Sequence, residues 1–173
     1  MILVLIGYMG SGKTAVGKAL SNTLNFPYED LDLVIENLEG KSIPELFNDR
    51  GEIYFRKKEG EILKELISSK QKLVLSTGGG TPCYGDSMNF LLSHDNVKTI
   101  YLKSSLEMLS GRLFAEKDHR PLISHLETQE DLTDFIRKHL FERTHVYERS
   151  SVIIATDGLS INDVVEEIVL KLF

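Results

Sequence analysis

Positive charge, cysteine and long apolar runs are what this chain of 173 residues has little of. Its 20 Lys and Arg stand against 26 Asp and Glu, a formal charge of −6. Such a surface has no net positive field to lay along nucleic acid or an anionic membrane, so any anion it binds is held locally. One cysteine, Cys83, allows no internal disulfide, and no CxxC or Cys/His cluster suggests zinc; a reducing cytosol is the expected location. The opening apolar run covers only residues 1–6, has no basic flank and leads straight into glycines. It reads as neither a signal peptide nor a membrane span. Low-complexity linkers and internal repeats are missing too, so residues 1–173 are expected to form one domain and to act as a monomer. With 42% hydrophobic and 27% charged residues, disorder, collagen and coiled coil are excluded for the chain as a whole.

What is present is an alternation of short apolar runs with helical stripes, the mark of an α/β fold with a parallel sheet. Strands are expected at residues 1–6, 27–30, 73–76, 97–102 and 152–155. A first helix carries Val16, Ala19, Leu20 and Leu24 on one face. Ser42-Ile43-Pro44-Glu45 is a capping box with proline in the first turn, opening a helical region that breaks near Gly51 and resumes to about residue 68. Ser104 with Glu107 reads as a second box, starting a helix to about residue 113. Ile161, Val164, Val165, Ile168 and Leu172 form the stripe of a final helix.

Gly7-Tyr8-Met9-Gly10-Ser11-Gly12-Lys13-Thr14 fits G-x-x-x-x-G-K-[ST], set between the first apolar run and the first helix. In that context Gly10, Ser11, Gly12 and Ala15 converge backbone on phosphate oxygens. Lys13 reaches the β/γ-phosphates of ATP, and the Thr14 hydroxyl ligates Mg²⁺. A nucleoside triphosphate site serves kinases, motors and switches alike. No Asn-Lys-x-Asp tetrad exists for guanine, and no apolar strand ends in a single Walker-B Asp. The nearest carboxylates are Asp30 and Asp32. At i, i+2 on extended chain they would point to one side, Asp30 towards the metal and Asp32 placed to accept a hydroxyl proton. The alternative is that one of them merely caps a helix over residues 33–38.

On the helix from residue 129 to about 148, Leu132, Phe135, Ile136, Leu140, Val146 and Tyr147 share an apolar arc, and at about 100° per residue Arg143 falls about 20° from Leu132, in its middle. A guanidinium pointing inward needs an anion, supplied by the protein or by a ligand. Arg56 is less clear: it lies among Ile53, Phe55, Leu63, Leu66 and Ile67, but Glu52 stands at i−4 as a structural partner. Phe47 and Phe55 are candidates to line a pocket beside it. Gly78, Gly79 and Gly80 follow the third strand, where close approach of a ligand would justify three residues without side chains. The polar stretch with Arg112 and Arg120, at about residues 113–128, reads either as a mobile lid or as a solvated loop. The five histidines show no metal pair and read as ordinary surface or core residues.

Taken together the residues resemble the shikimate kinase family. The likeness rests on the GYMGSGKT loop, Asp30-Leu31-Asp32, Ser42-Ile43 with Phe47, Gly51-Glu52, Phe55-Arg56 with Glu59, the three glycines, Arg120-Pro121-Leu122 and Arg143 with Tyr147. The resemblance implies a P-loop NTPase fold with a five-stranded sheet in order 2-3-1-4-5, and transfer of the ATP γ-phosphate to the 3-hydroxyl of shikimate with Mg²⁺. By that pattern Asp32, Arg56, Gly79 and Arg143 hold shikimate, Asp32 is the base, Lys13 and Arg120 stabilise the moving phosphoryl group, and Arg112 lies near adenine. Another small-metabolite kinase, such as a gluconate kinase, or a non-catalytic nucleotide switch is the competing reading.

Overall fold

The computed structural model describes residues 1–173, the side chain of His119 excepted. Strands β1 (Ile2–Ile6), β2 (Tyr28–Asp30), β3 (Leu73–Ser76), β4 (Val97–Lys103) and β5 (Val152–Ala155) form one parallel sheet in the order β2-β3-β1-β4-β5. Helices are α1 (Lys13–Leu24), α2 (Leu31–Glu39), α3 (Ile43–Ser69), α4 (Ser87–Leu92), α5 (Leu106–Glu116), α6 (Gln129–Tyr147) and α7 (Ile161–Leu172).

β1 is the centre of the sheet because it is apolar on both faces, and all five of its residues are fully buried. Its side chains alternate between two cores. Ile2, Val4 and Ile6 pack in the cluster that includes Leu31 and Ile35 of α2 and Leu63 of α3; Leu3 and Leu5 join Val16 and Leu20 of α1 and Ile168 of α7. A third, smaller cluster lies beyond the end of β1, where Tyr8 packs with Leu109, Leu113, Ile123, Leu132 and Ile136. It joins the glycine loop to α5, α6 and the segment between them.

The differences from the sequence reading are local. α2 begins at Leu31, because Asp30 caps it. Ser105, not Ser104, caps α5, its hydroxyl accepting from Met108 N at 3.1 Å. Ser104 instead shares a 2.7 Å bond with Thr156. α5 also runs past residue 113 to Glu116, and α4 carried too short an apolar pattern to be read. Ile53, expected inward, is 89% exposed. The interruption near Gly51 is real: this residue has φ 82° and ψ 170° inside α3, a conformation open to glycine almost alone. No atom lies within 4 Å of the position a Cβ would take there. Gly51→Ala is therefore expected to cost about 1–3 kcal/mol through backbone strain alone, read as a lower urea midpoint with an unchanged slope.

Candidate active site

The C-terminal ends of β1 and β3 open into two clefts that meet. The first, about 500 Å³, is lined by the glycine loop, the start of α1, Asp30, Asp32 and Arg120. Gly10 and Gly12 adopt φ values of 78° and 92°, which lets the loop turn its backbone towards the cleft before α1 begins. Lys13 Nζ donates to the carbonyls of Gly7 (2.7 Å) and Tyr8 (2.9 Å), so the ammonium is held at the loop's mouth. Burial pulls its pKa down to about 8, against the attraction of Asp32 and Asp30. Ser76, which the sequence reading did not single out, donates to the Lys13 carbonyl at 3.2 Å and bonds Tyr28 at 3.1 Å, fixing the first turn of α1 to β3.

Asp30 does two things at once. Its Oδ1 accepts from the backbone N of Asp32 at 3.1 Å, the capping role weighed from sequence, while Oδ2 stands 3.4 Å from the Thr14 hydroxyl. A hydroxyl beside one carboxylate is a hard-oxygen pair suited to Mg²⁺, an ion that keeps water and phosphate oxygens as its other ligands. Among the described residues no group of three or more His, Cys, Asp or Glu forms a closed metal cage. Asp32 sits in the first turn of α2 rather than on extended chain, yet it lines both clefts. Burial pushes its carboxyl up to about 6, helped by the neighbouring charges of Asp30 and Glu59 and opposed by Lys13.

The second cleft, about 350 Å³, shares Met9, Asp32, Gly78, Gly79 and Arg120 with the first. Arg143 of α6 projects into it, as its place on the apolar arc required. Among the described residues Arg143 has no carboxylate within 4.0 Å. Its guanidinium lies 5.9 Å from the centroid of the Tyr8 ring. Arg56 enters from α3. Its partner is mainly Glu59 (2.8 Å), with Glu52 at 3.5 Å, and its guanidinium stacks 3.9 Å from the Tyr84 ring centroid. Glu59 is buried and also accepts from the Thr81 hydroxyl at 2.6 Å. Phe47 and Phe55, ring centroids 4.7 Å apart, line the same cleft.

The three glycines each face a charged group. A Cβ on Gly78 would lie 3.2 Å from Asp32 Oδ1, one on Gly79 3.7 Å from Arg143 Nη1, and one on Gly80 2.8 Å from Arg56 Nη2. The run without side chains is thus what lets two guanidiniums and a carboxylate approach one backbone segment. The Tyr147 hydroxyl holds that segment by donating to the Gly79 carbonyl.

Arg120 lines both clefts and is bonded through Nε (3.1 Å) and Nη2 (2.6 Å) to Glu116. Arg112 donates to the Gly10 carbonyl on the rim of the first cleft, against the glycine loop. Of residues 113–128, those through 116 are helical, and Ile123 is fully buried in the third cluster, so this segment is not a solvated loop throughout. His119 lies in this segment, with its side chain outside the described residues. His139, expected to be ordinary, lines the second cleft and bonds Tyr8 at 2.8 Å. Sequence reasoning passed over Tyr84, Glu116 and His139 as site residues, and noted Glu59 without its double role. Two of them left a signal, Glu59 in its i+3 spacing from Arg56 and Glu116 in its i−4 spacing from Arg120.

Comparison with known proteins agrees with this arrangement. A family model described as shikimate kinase matches residues 9–173. A shikimate kinase from Flavobacterium psychrophilum is 47% identical over 171 residues, covering 99% of this chain and 98% of its own. The crystal structure of shikimate kinase from Bacteroides thetaiotaomicron superposes with TM-score 0.90 at 36% identity, covering 99% of both chains. That of Acinetobacter baumannii shikimate kinase in complex with shikimate gives 0.85 at 31%, covering 99% of this chain and 92% of the other. With the match spanning both clefts and the whole sheet, the chain belongs to the shikimate kinase family.

Proposed function

We propose that this protein transfers the γ-phosphate of ATP to the 3-hydroxyl of shikimate, giving shikimate 3-phosphate and ADP on the route to the aromatic amino acids. The observation that carries the reading is Arg143: a half-buried guanidinium with no carboxylate partner among the described residues, in a cleft that meets the phosphate loop at Asp32. Such a group calls for a small anionic guest.

Arg143 and Arg56 take the carboxylate of shikimate, with Gly79 and Gly80 leaving room and Phe47 and Phe55 covering the apolar ring face. That anchoring turns the 3-hydroxyl towards Asp32. Asp32 accepts the hydroxyl proton as the oxygen forms its bond to the γ-phosphorus, and the bond from phosphorus to the bridging oxygen of ADP breaks. Lys13 leaves its loop carbonyls for the β/γ-phosphates, and Arg120 adds a second positive group from the lid, residues 113–128, to the moving phosphoryl. Arg112 serves the nucleotide from the rim. Thr14 and Asp30 hold Mg²⁺, directly or through water; when bound, the ion neutralises phosphate charge.

A monomeric enzyme of the reducing cytosol completes the reading. The single cysteine suits the reducing cytosol, and no described helix is long and apolar enough to cross a membrane. The test is a panel of shikimate, gluconate and a nucleoside monophosphate with ATP and Mg²⁺, following ADP release. Shikimate is expected to dominate. Preference for gluconate or the nucleotide would overturn the acceptor assignment, and ATP binding without turnover on any acceptor would favour the switch.

A further inference from the structure

A guanidinium kept for a ligand's carboxylate poses a positioning problem. A protein carboxylate would hold it firmly but compete with the guest; an aromatic face holds it without neutralising it. At Arg143 that face is the ring of Tyr8, itself part of the phosphate loop. Tyr8 is 1% exposed, so its hydroxyl needs a partner, and the partner is Nδ1 of His139 at 2.8 Å. His139 stands one turn before Arg143 on α6, and its ring meets Phe135 edge-on at 4.4 Å. Burial, reinforced by Arg143, lowers the histidine's pKa, which favours the neutral ring that such a bond uses.

We infer that Tyr8 and His139 form a positioning pair: His139 locks the Tyr8 ring, and the ring sets the guanidinium of Arg143 for the acceptor carboxylate. The inference rests on the shikimate-binding reading above and adds two residues to it. It also ties the acceptor helix to the glycine loop, because Lys13 donates to the carbonyl of Tyr8 itself.

The test is calorimetric binding of shikimate, and separately of ADP with Mg²⁺, to the full chain and to Tyr8→Phe, His139→Leu, the double variant and His139→Asn. Loss of one buried hydrogen bond predicts a shikimate Kd raised about fivefold in each single variant. The double variant is expected to be no worse than either single one, because both remove the same bond. His139→Asn, whose amide sits where Nδ1 was, is expected to recover most of the affinity, while the ADP Kd stays within about twofold throughout. Unchanged shikimate binding, additive losses, or equal losses of ADP and shikimate would overturn the pair. If His139→Leu fails to fold, the near-isosteric Tyr8→Phe with His139→Asn decides alone. Failure of the unsubstituted protein to bind or phosphorylate shikimate would sink the acceptor reading instead, so the two failures are distinguishable.

Discussion

Asp32→Asn is expected to lower kcat for shikimate phosphorylation by about 10²–10⁴-fold, the range for removing a general base, while ATP affinity changes little. Asparagine keeps the shape of the side chain at the junction of the clefts but cannot take the hydroxyl proton. The pH dependence follows from the same group. With its carboxyl pushed up to about 6, kcat/KM rises with pH through about 6 as Asp32 ionises. It falls again as Lys13, pulled down to about 8, loses its proton. The acidic limb is expected to vanish in Asp32→Asn. A stability effect of opposite sign accompanies it. Asp32 titrates at about 6 in the fold against an ordinary 3.8, so the folded state binds the proton more tightly. Its contribution is present below pH 3.8 and is lost as pH rises through about 6. At pH 7.5 the ionised carboxylate is therefore a burden on the fold, and Asp32→Asn is expected to be more stable by on the order of 2 kcal/mol. Chemical denaturation at pH 7.5 and pH 4 reads this directly: the gain is expected to shrink at the lower pH. A variant that is less stable at pH 7.5, or that retains turnover, would contradict the assignment.

Arg143→Ala is the second large effect. Hydrogen bonds to charged groups contribute about 1.5–3 kcal/mol, so shikimate Kd is expected to rise about 10- to 150-fold, with the ADP Kd nearly unchanged. Because Arg143 has no carboxylate partner among the described residues, its removal leaves no buried protein anion stranded, and the fold is expected to tolerate it. Arg56→Ala should behave differently: it would strand Glu59, buried and bonded to Thr81, and lose stability along with acceptor affinity. Comparing the melting temperatures of the two alanine variants separates a guanidinium reserved for a ligand from one that also holds the protein together.

The contrast explains what could be read in the sequence. Arg143 was legible because helical periodicity alone reports an inward charge, and α6 is long enough for its apolar arc to be unambiguous. The strands were legible because a parallel sheet covered on both faces leaves continuous apolar runs, as in β1. Arg56 was undecided because its arc mixes acids with apolar residues; the structure resolves this by giving it Glu59 and the Tyr84 ring, the latter supplied from after β3. Tyr8 and His139 were not legible as a pair, since 131 residues separate them and neither breaks a local pattern. The Ser104 misreading has a similar origin. Two adjacent serines both suit a cap, and only Thr156, reaching over from beyond β5, decides which hydroxyl is used elsewhere. Local pattern thus exposes a residue that violates its own periodicity, whereas partners drawn from different strands and helices become visible only when the sheet brings them together.

The central claim is that two guanidiniums beside Asp32 select the acceptor by its carboxylate. The most direct measurement is the kcat/KM ratio for shikimate over shikimate methyl ester with saturating ATP and Mg²⁺. The ester keeps every hydroxyl and replaces the negative charge with a neutral group one methyl larger. A ratio of about 100 or more is expected, falling by about tenfold or more in Arg143→Ala, where Arg56 still meets the carboxylate. Equal turnover of acid and ester by the unsubstituted protein would contradict it.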